Sequence, residues 1–215
     1  MNENSKYISY FILVFLLISI FANGQKFQPS EKLIINKQDI KNELVELILK
    51  NNIPGYYHRY GFFSDEEVKS IEFGKPISFY VLPVKMIKEN HRNNKLDLQF
   101  IDEWLVPVIV DNKLRCFVYL KNIHGKATIT GYGSKLVADE LIESGSFDYR
   151  EENQGFLLVT NLGCKFLIKN DKDKSVFVPL GFTQHILNYS KIGSLNADLL
   201  NNLIYTIYAE NYETN

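Results

Sequence analysis

The two cysteines carry the most reactive side chains of this chain. Cys116 lies in phase with the apolar residues of one alternating segment, and Cys164 does the same in a later one. Both are therefore expected on the apolar side of a sheet. An exported protein with only two such cysteines is a candidate for a disulfide, which we predict between them. The alternatives are two buried, unpaired thiols or, least favoured, a catalytic thiol beside a histidine.

The histidines are spread along the chain and show no local metal-binding spacing. No two of them lie within four residues of each other, and the chain contains neither an H-E-x-x-H motif nor a C-x-x-C pair. These are the spacings that local zinc sites use. We therefore predict no metal site and no cofactor, and only residues from distant segments could assemble one. The four histidines are His58, His91, His124 and His185.

Residues 56–63, called here the aromatic segment, have the composition best suited to binding. They read YYHRYGFF, with five aromatic residues, one arginine and one histidine. Tyrosine and arginine are enriched as anchors in protein interfaces, and the same rings can stack on a planar ligand. The alternative is that the segment packs the first helix onto the sheet and that the only tryptophan belongs to the core. The predicted partner-binding residues are Tyr56, Tyr57, His58, Arg59, Tyr60 and Trp104.

A helix is predicted on each side of the aromatic segment. Apolar residues at helical spacing predict the first helix over residues 37–51. Ser64 and Glu67 have the spacing of a capping box, and Phe63 with Val68 would form its hydrophobic staple. This pattern predicts a short helix directly after the segment.

Two groups of three strands account for most of the remaining chain. Each group ends in a helix, the first capped by Ser134 and stopped at Gly145, the second over residues 195–209. We therefore predict an α+β fold in which antiparallel sheet is built from two three-stranded meanders, each followed by a helix, with an N-terminal helix. Pro107 and Pro179 fall inside strands, so those strands are expected at an edge or a bulge. The predicted meander strands cover residues 104–110, 114–121, 126–132, 155–160, 164–169 and 175–180.

The first 24 residues have the pattern of a signal peptide. An apolar run of about 15 residues ends at Ala22-Asn23-Gly24, a small-x-small junction that places cleavage before Gln25. The run is shorter than the roughly 20 residues that a spanning helix needs, so a membrane anchor is the less favoured alternative. We expect residues 25–215 to form a single α+β domain, with two lobes at 25–145 and 146–215 as the other division. The expected location is secreted or periplasmic.

Charge and composition narrow the possible functions. The chain has 24 basic and 25 acidic side chains and lacks the basic footprint of nucleic-acid binding. We expect an exported, non-enzymatic domain that binds a protein or a cell-envelope component, in the manner of an inhibitor or propeptide. A membrane is a partner only if the leader is not cleaved. The alternative is a secreted hydrolase whose active site is not visible in the sequence.

Overall fold

The computed structural model describes Phe27 and residues 33–50, 56–171, 174–181, 183–184 and 194–212. The predicted signal peptide and His185 lie outside these residues. The elements are α1 (Lys37–Lys50), a 3-10 helix (Tyr56–Tyr60), α2 (Asp65–Lys69), β1 (Glu72–Phe73), β2 (Ile77–Leu82), α3 (Val84–Arg92), β3 (Gln99–Val110), β4 (Lys113–Ile123), β5 (Lys126–Gly133), α4 (Lys135–Glu143), β6 (Gln154–Val159), β7 (Cys164–Asp171), β8 (Lys174–Pro179) and α5 (Ala197–Tyr212).

Eight strands form one open, mostly antiparallel sheet with β2 in its centre. The strand order is β5-β4-β3-β2-β6-β7-β8, and β1 pairs with β3 beside β2. All pairings are antiparallel except that of β2 with β6, which is parallel. The predicted α+β class is therefore confirmed. The two groups of strands flank β2 and belong to one sheet.

One face of the sheet is covered in two halves. Over β3–β5 lie α1, the 3-10 helix and α2, where Leu44 and Val68 are fully buried against strand residues such as Val106. Over β2 and β6–β8 lie α3 and α5, and the Asn201 side chain donates to the Asn90 carbonyl to join these two helices. Each fully buried aliphatic side chain of this kind stabilises the fold by about 1.5–3 kcal/mol.

The opposite face is covered mainly by α4. Ala138 and Leu141 of this helix pack against Phe117, Phe156 and other strand residues. An ion pair between Glu140 and Lys165, with both carboxylate oxygens 2.8 Å from Nζ, joins α4 to β7. Among the described residues, no helix has the length and apolar character needed to cross a membrane.

Pro107 lies in β3, an interior strand that is bulged against β2, because Phe100–Trp104 of β3 oppose Ser78–Tyr80 of β2. The bulge, and not an edge position, therefore meets the prediction for this strand. The Pro107 carbonyl accepts a hydrogen bond from the Gly74 amide at 2.9 Å. Because the N–H and C=O positions of one strand residue face the same neighbour, the missing donor of Pro107 also faces the connection between β1 and β2. On this side, β3 has no strand partner between its pairing with β1 and its pairing with β2, so the proline removes no hydrogen bond between strands. Pro179 ends β8 at the sheet edge, as predicted.

Candidate functional site

The aromatic segment is held close to strand β4 by a glycine. Its first five residues form the 3-10 helix, which Gly61 ends with a φ of +86°. A Cβ at this position would lie 3.0 Å from the carbonyl oxygen of Arg115. Glycine therefore allows both the turn and the close approach of the two backbones.

The next two residues point in opposite directions. Phe62 is fully buried in the core under α1 and α2, whereas Phe63 is 63% exposed. Half of the predicted capping box forms, because Ser64 Oγ accepts from the Glu67 amide at 3.3 Å. The Glu67 carboxylate reaches one residue further back than a capping box requires, and its Oε2 accepts from the Phe63 amide at 2.7 Å. The predicted staple does not cover the Phe63 ring, since Val68 is buried while Phe63 stays in solvent.

Arg115 lies against the Phe63 ring because of a β-bulge. Val108 pairs with Cys116 and Ile109 with Leu114, so Arg115 is an extra residue in β4. Its Nη2 donates to Glu67 Oε1 at 2.7 Å, and its Cζ lies 5.2 Å from the centroid of the Phe63 ring. The guanidinium thus forms a charge-assisted hydrogen bond and a cation–π contact at once. Glu67 and Arg115 together hold the backbone and the ring of Phe63.

The other residues of the segment divide between the core and the solvent. His58 and Arg59 are exposed, and the His58 ring lies 4.9 Å from that of Tyr57 and 5.8 Å from that of Phe63. Tyr60 is half-buried, with its ring 4.9 Å from that of Tyr132. Tyr56 begins the 3-10 helix. We call the Phe63 surface the exposed side chains of His58, Arg59 and Phe63 together with the half-buried Tyr57 and the largely shielded Arg115.

Trp104 lies away from this surface, in the core. Its side chain is 3% exposed and its ring packs against Phe100 at a centroid distance of 5.0 Å. Of the predicted partner-binding residues, His58 and Arg59 are exposed, Tyr57 and Tyr60 are half-buried, and Trp104 is in the core, while the side chain of Tyr56 lies outside the described part of the chain. Sequence reasoning assigned the Phe63 ring to a hydrophobic staple and did not identify Arg115 as its neighbour. The Arg-Cys order in β4 carries no local sign of the bulge.

The two cysteines are free and buried in the structure, which departs from the predicted disulfide. Cys116 lies in β4 and Cys164 in β7, four strand steps apart. At about 4.8 Å per step, their separation of roughly 19 Å is far beyond the ~7 Å limit for Cα atoms in a disulfide. Burial raises the pKa of the Cys116 thiol to about 12, against a smaller lowering by the Gly133 backbone, and that of Cys164 to about 11. Neither thiol suits nucleophilic catalysis, which needs the thiolate.

The three described histidines are also dispersed in space. His58 and His124 are exposed in different parts of the first half, and the His91 ring stacks on Tyr205 with centroids 3.8 Å apart. Within the described part of the chain, no group of three His, Cys, Asp or Glu side chains is placed to hold a metal ion. Comparison with known protein families, with curated proteins and with solved structures finds no match for this chain.

Proposed function

We propose that residues 25–215 act as one exported, non-enzymatic domain that binds a protein or a cell-envelope component through the Phe63 surface. The signal peptide at 1–24 would direct it to a secreted or periplasmic location. The two meanders with their helices serve as the scaffold of this surface. The observation that carries the proposal is the exposure of Phe63, which is 63% exposed beside a fully buried Phe62.

The Phe63 ring is ordered before any partner arrives. Its amide is bound by the Glu67 carboxylate, and its ring rests against the Arg115 guanidinium. Immobilising a free side chain at an interface costs about 0.5–1.5 kcal/mol, and a ring that is already held avoids part of this cost. Aromatic residues, phenylalanine included, and arginine are enriched in protein interfaces relative to the rest of the surface.

The surface defines the chemistry of its partner. Phe63 would fill an apolar pocket. The exposed His58, whose ring lies 5.8 Å from that of Phe63, and the exposed Arg59 that follows it in the chain would meet acceptor groups at the rim of that pocket. A pocket of this kind on a secreted enzyme fits the inhibitor- or propeptide-like form of the proposal.

The test compares two equally exposed apolar side chains on different faces. Phe63→Ala removes a ring that is 63% exposed, and Leu136→Ala removes an aliphatic side chain that is 67% exposed. Leu136 lies on α4, which covers the other face of the sheet. Immobilised protein is used to capture partners from culture supernatant and envelope fractions. We expect Phe63→Ala to weaken capture about 30-fold, the equivalent of about 2 kcal/mol for an interface anchor, and Leu136→Ala to leave it unchanged.

Two further variants extend the test across the surface. Tyr57→Ala and Arg59→Ala should each reduce capture, with circular dichroism showing that the fold is intact. Equal capture by all four variants and the parent chain would mean that the aromatic segment is only structural, and the proposal would be abandoned.

A further inference from the structure

Phe27 is held by the second half of the sheet in a pocket that resembles a peptide-binding site. Its side chain is 7% exposed and packs edge-on against Phe177, with centroids 5.6 Å apart, and against Tyr80 at 6.4 Å. Its amide donates to Ser175 Oγ at 3.1 Å, and its carbonyl accepts from Asn170 Nδ2 at 3.0 Å. One residue is thus recognised by its ring and by both of its backbone groups.

The two polar side chains are oriented for this contact. Asn170 and Ser175 are paired across the β7–β8 hairpin, and the Ser175 hydroxyl is hydrogen-bonded to Asn170 Oδ1. The Asn170 amide also donates to the Asn153 carbonyl at 2.8 Å. Ser175 is 2% exposed, so its hydroxyl has been withdrawn from solvent to meet these partners. Main-chain hydrogen bonds with a pocket for one side chain are the elements of extended-peptide recognition.

We propose that Tyr80, Asn170, Ser175 and Phe177 form a seat for phenylalanine in an extended peptide, and that Phe27 of the same chain is its resident, exchangeable occupant. Phe27 lies ten residues before the first residue of α1 and belongs to no helix or strand of the fold. The ligand class is an extended segment that presents a phenylalanine to the seat, because the seat offers two aromatic rings for the side chain and two neutral hydrogen-bonding side chains for the backbone. This site is independent of the Phe63 surface.

The test vacates the seat and offers the missing residue from outside. Phe27→Ala is made in the chain that begins at Gln25, and a labelled synthetic peptide of residues 25–30, QKFQPS, is titrated while fluorescence anisotropy is followed. We expect saturable binding to Phe27→Ala that is at least tenfold tighter than binding to the parent chain, whose seat is filled. The peptide QKAQPS should not bind, and adding Asn170→Ala to Phe27→Ala should abolish binding of QKFQPS. A folded Phe27→Ala variant that binds both peptides equally, or neither, overturns the proposal.

A second measurement covers the case in which Phe27→Ala does not fold. Phe27 in the parent chain is replaced by 4-fluorophenylalanine, and its fluorine resonance is followed as unlabelled QKFQPS is added in excess. If the resonance shifts to the position of a solvent-exposed ring, the added peptide has displaced Phe27, which supports the proposal. A resonance that never moves overturns the proposal. Light scattering identifies the source of the occupant: a monomer supports Phe27 of the same chain, and a dimer that is lost in Phe27→Ala overturns that assignment in favour of a second copy.

Discussion

On the sheet face that α1, α2, α3 and α5 cover, the two halves differ in where they place a phenylalanine from outside the sheet. In the β6–β8 half, Phe27 enters the core between Tyr80 and Phe177. In the β3–β5 half, Phe63 stays in solvent over Arg115. The difference lies in what the sheet offers beneath the ring, an apolar pocket in one case and a guanidinium in the other. The one-residue bulge in β4 adds Arg115, whose guanidinium lies against the Phe63 ring.

The largest expected effect separates the two neighbours Phe62 and Phe63. Phe62→Ala leaves a cavity in the first half and should lower the free energy of unfolding by about 3–5 kcal/mol. Phe63→Ala removes an exposed ring and should lower it by less than about 1 kcal/mol. Urea denaturation of both variants measures the difference. Similar losses would show that the Phe63 ring is packed, and the contrast with Phe27 would disappear.

The next effect concerns the ion pair between α4 and β7. Gly181 has a φ of +46°, and a Cβ there would lie 2.4 Å from Glu140 Oε1. Gly163, also in the second half, has a φ of +67° but open space around its Cα. Gly163→Ala should therefore lose only about 1–2 kcal/mol from the left-handed backbone. Gly181→Ala should lose a further 1–3 kcal/mol, because the new methyl group displaces the carboxylate from Lys165.

These two variants are compared by thermal and urea denaturation under identical conditions. Glu140→Ala removes the carboxylate and with it the clash. In a chain that carries Glu140→Ala, Gly181→Ala should therefore lower the free energy of unfolding by no more than Gly163→Ala does. An equal loss in both single glycine variants would mean that Glu140 does not contact Gly181.

A smaller effect tests the ion pair beneath Phe63. The side chains of Arg115 and Glu67 are 16% and 20% exposed, so their hydrogen bond is partly shielded from solvent. A double-mutant cycle with Arg115→Ala and Glu67→Ala should give a coupling energy of about 1 kcal/mol that falls as salt is added. The Phe63 ring should become more mobile in either single variant, which aromatic proton relaxation by NMR measures. A coupling energy near zero together with unchanged mobility of the Phe63 ring would show that Arg115 does not hold the ring in its exposed position.

Local patterns predicted the elements well, because their causes lie within a few residues. The helix predicted over residues 37–51 and the Ser64 cap of the next helix both appear in the structure at or within one residue of the predicted place. Ser134 is an exception. It precedes α4 with a φ of +59° and no side-chain cap, and its hydroxyl is hydrogen-bonded to that of Tyr119 in β4. A strand partner, invisible in the local pattern, outcompetes the cap.

Strand order and register could not be predicted, because they depend on pairings between distant segments. Alternation placed Cys116 and Cys164 on the buried face of the sheet, where both are found. Alternation gives no information about strand order, so it could not show that β2 separates the two meanders. A disulfide between the two cysteines was therefore compatible with the sequence. The bulge at Arg115 has the same origin, since it arises from the register of β4 against β3.

The cysteines provide the smallest expected energetic effect and a strict test of the two-half arrangement. If they are free, a reductant changes nothing in the free energy of unfolding. A disulfide between them would contribute about 4 kcal/mol on the chain-entropy estimate. Iodoacetamide should add two groups in denaturant without reductant and react slowly with the folded protein, because both thiols are buried and neutral. If no adducts form in denaturant, the cysteines are joined by a disulfide and β4 must lie close to β7. The two halves of the sheet could not then lie on opposite sides of β2.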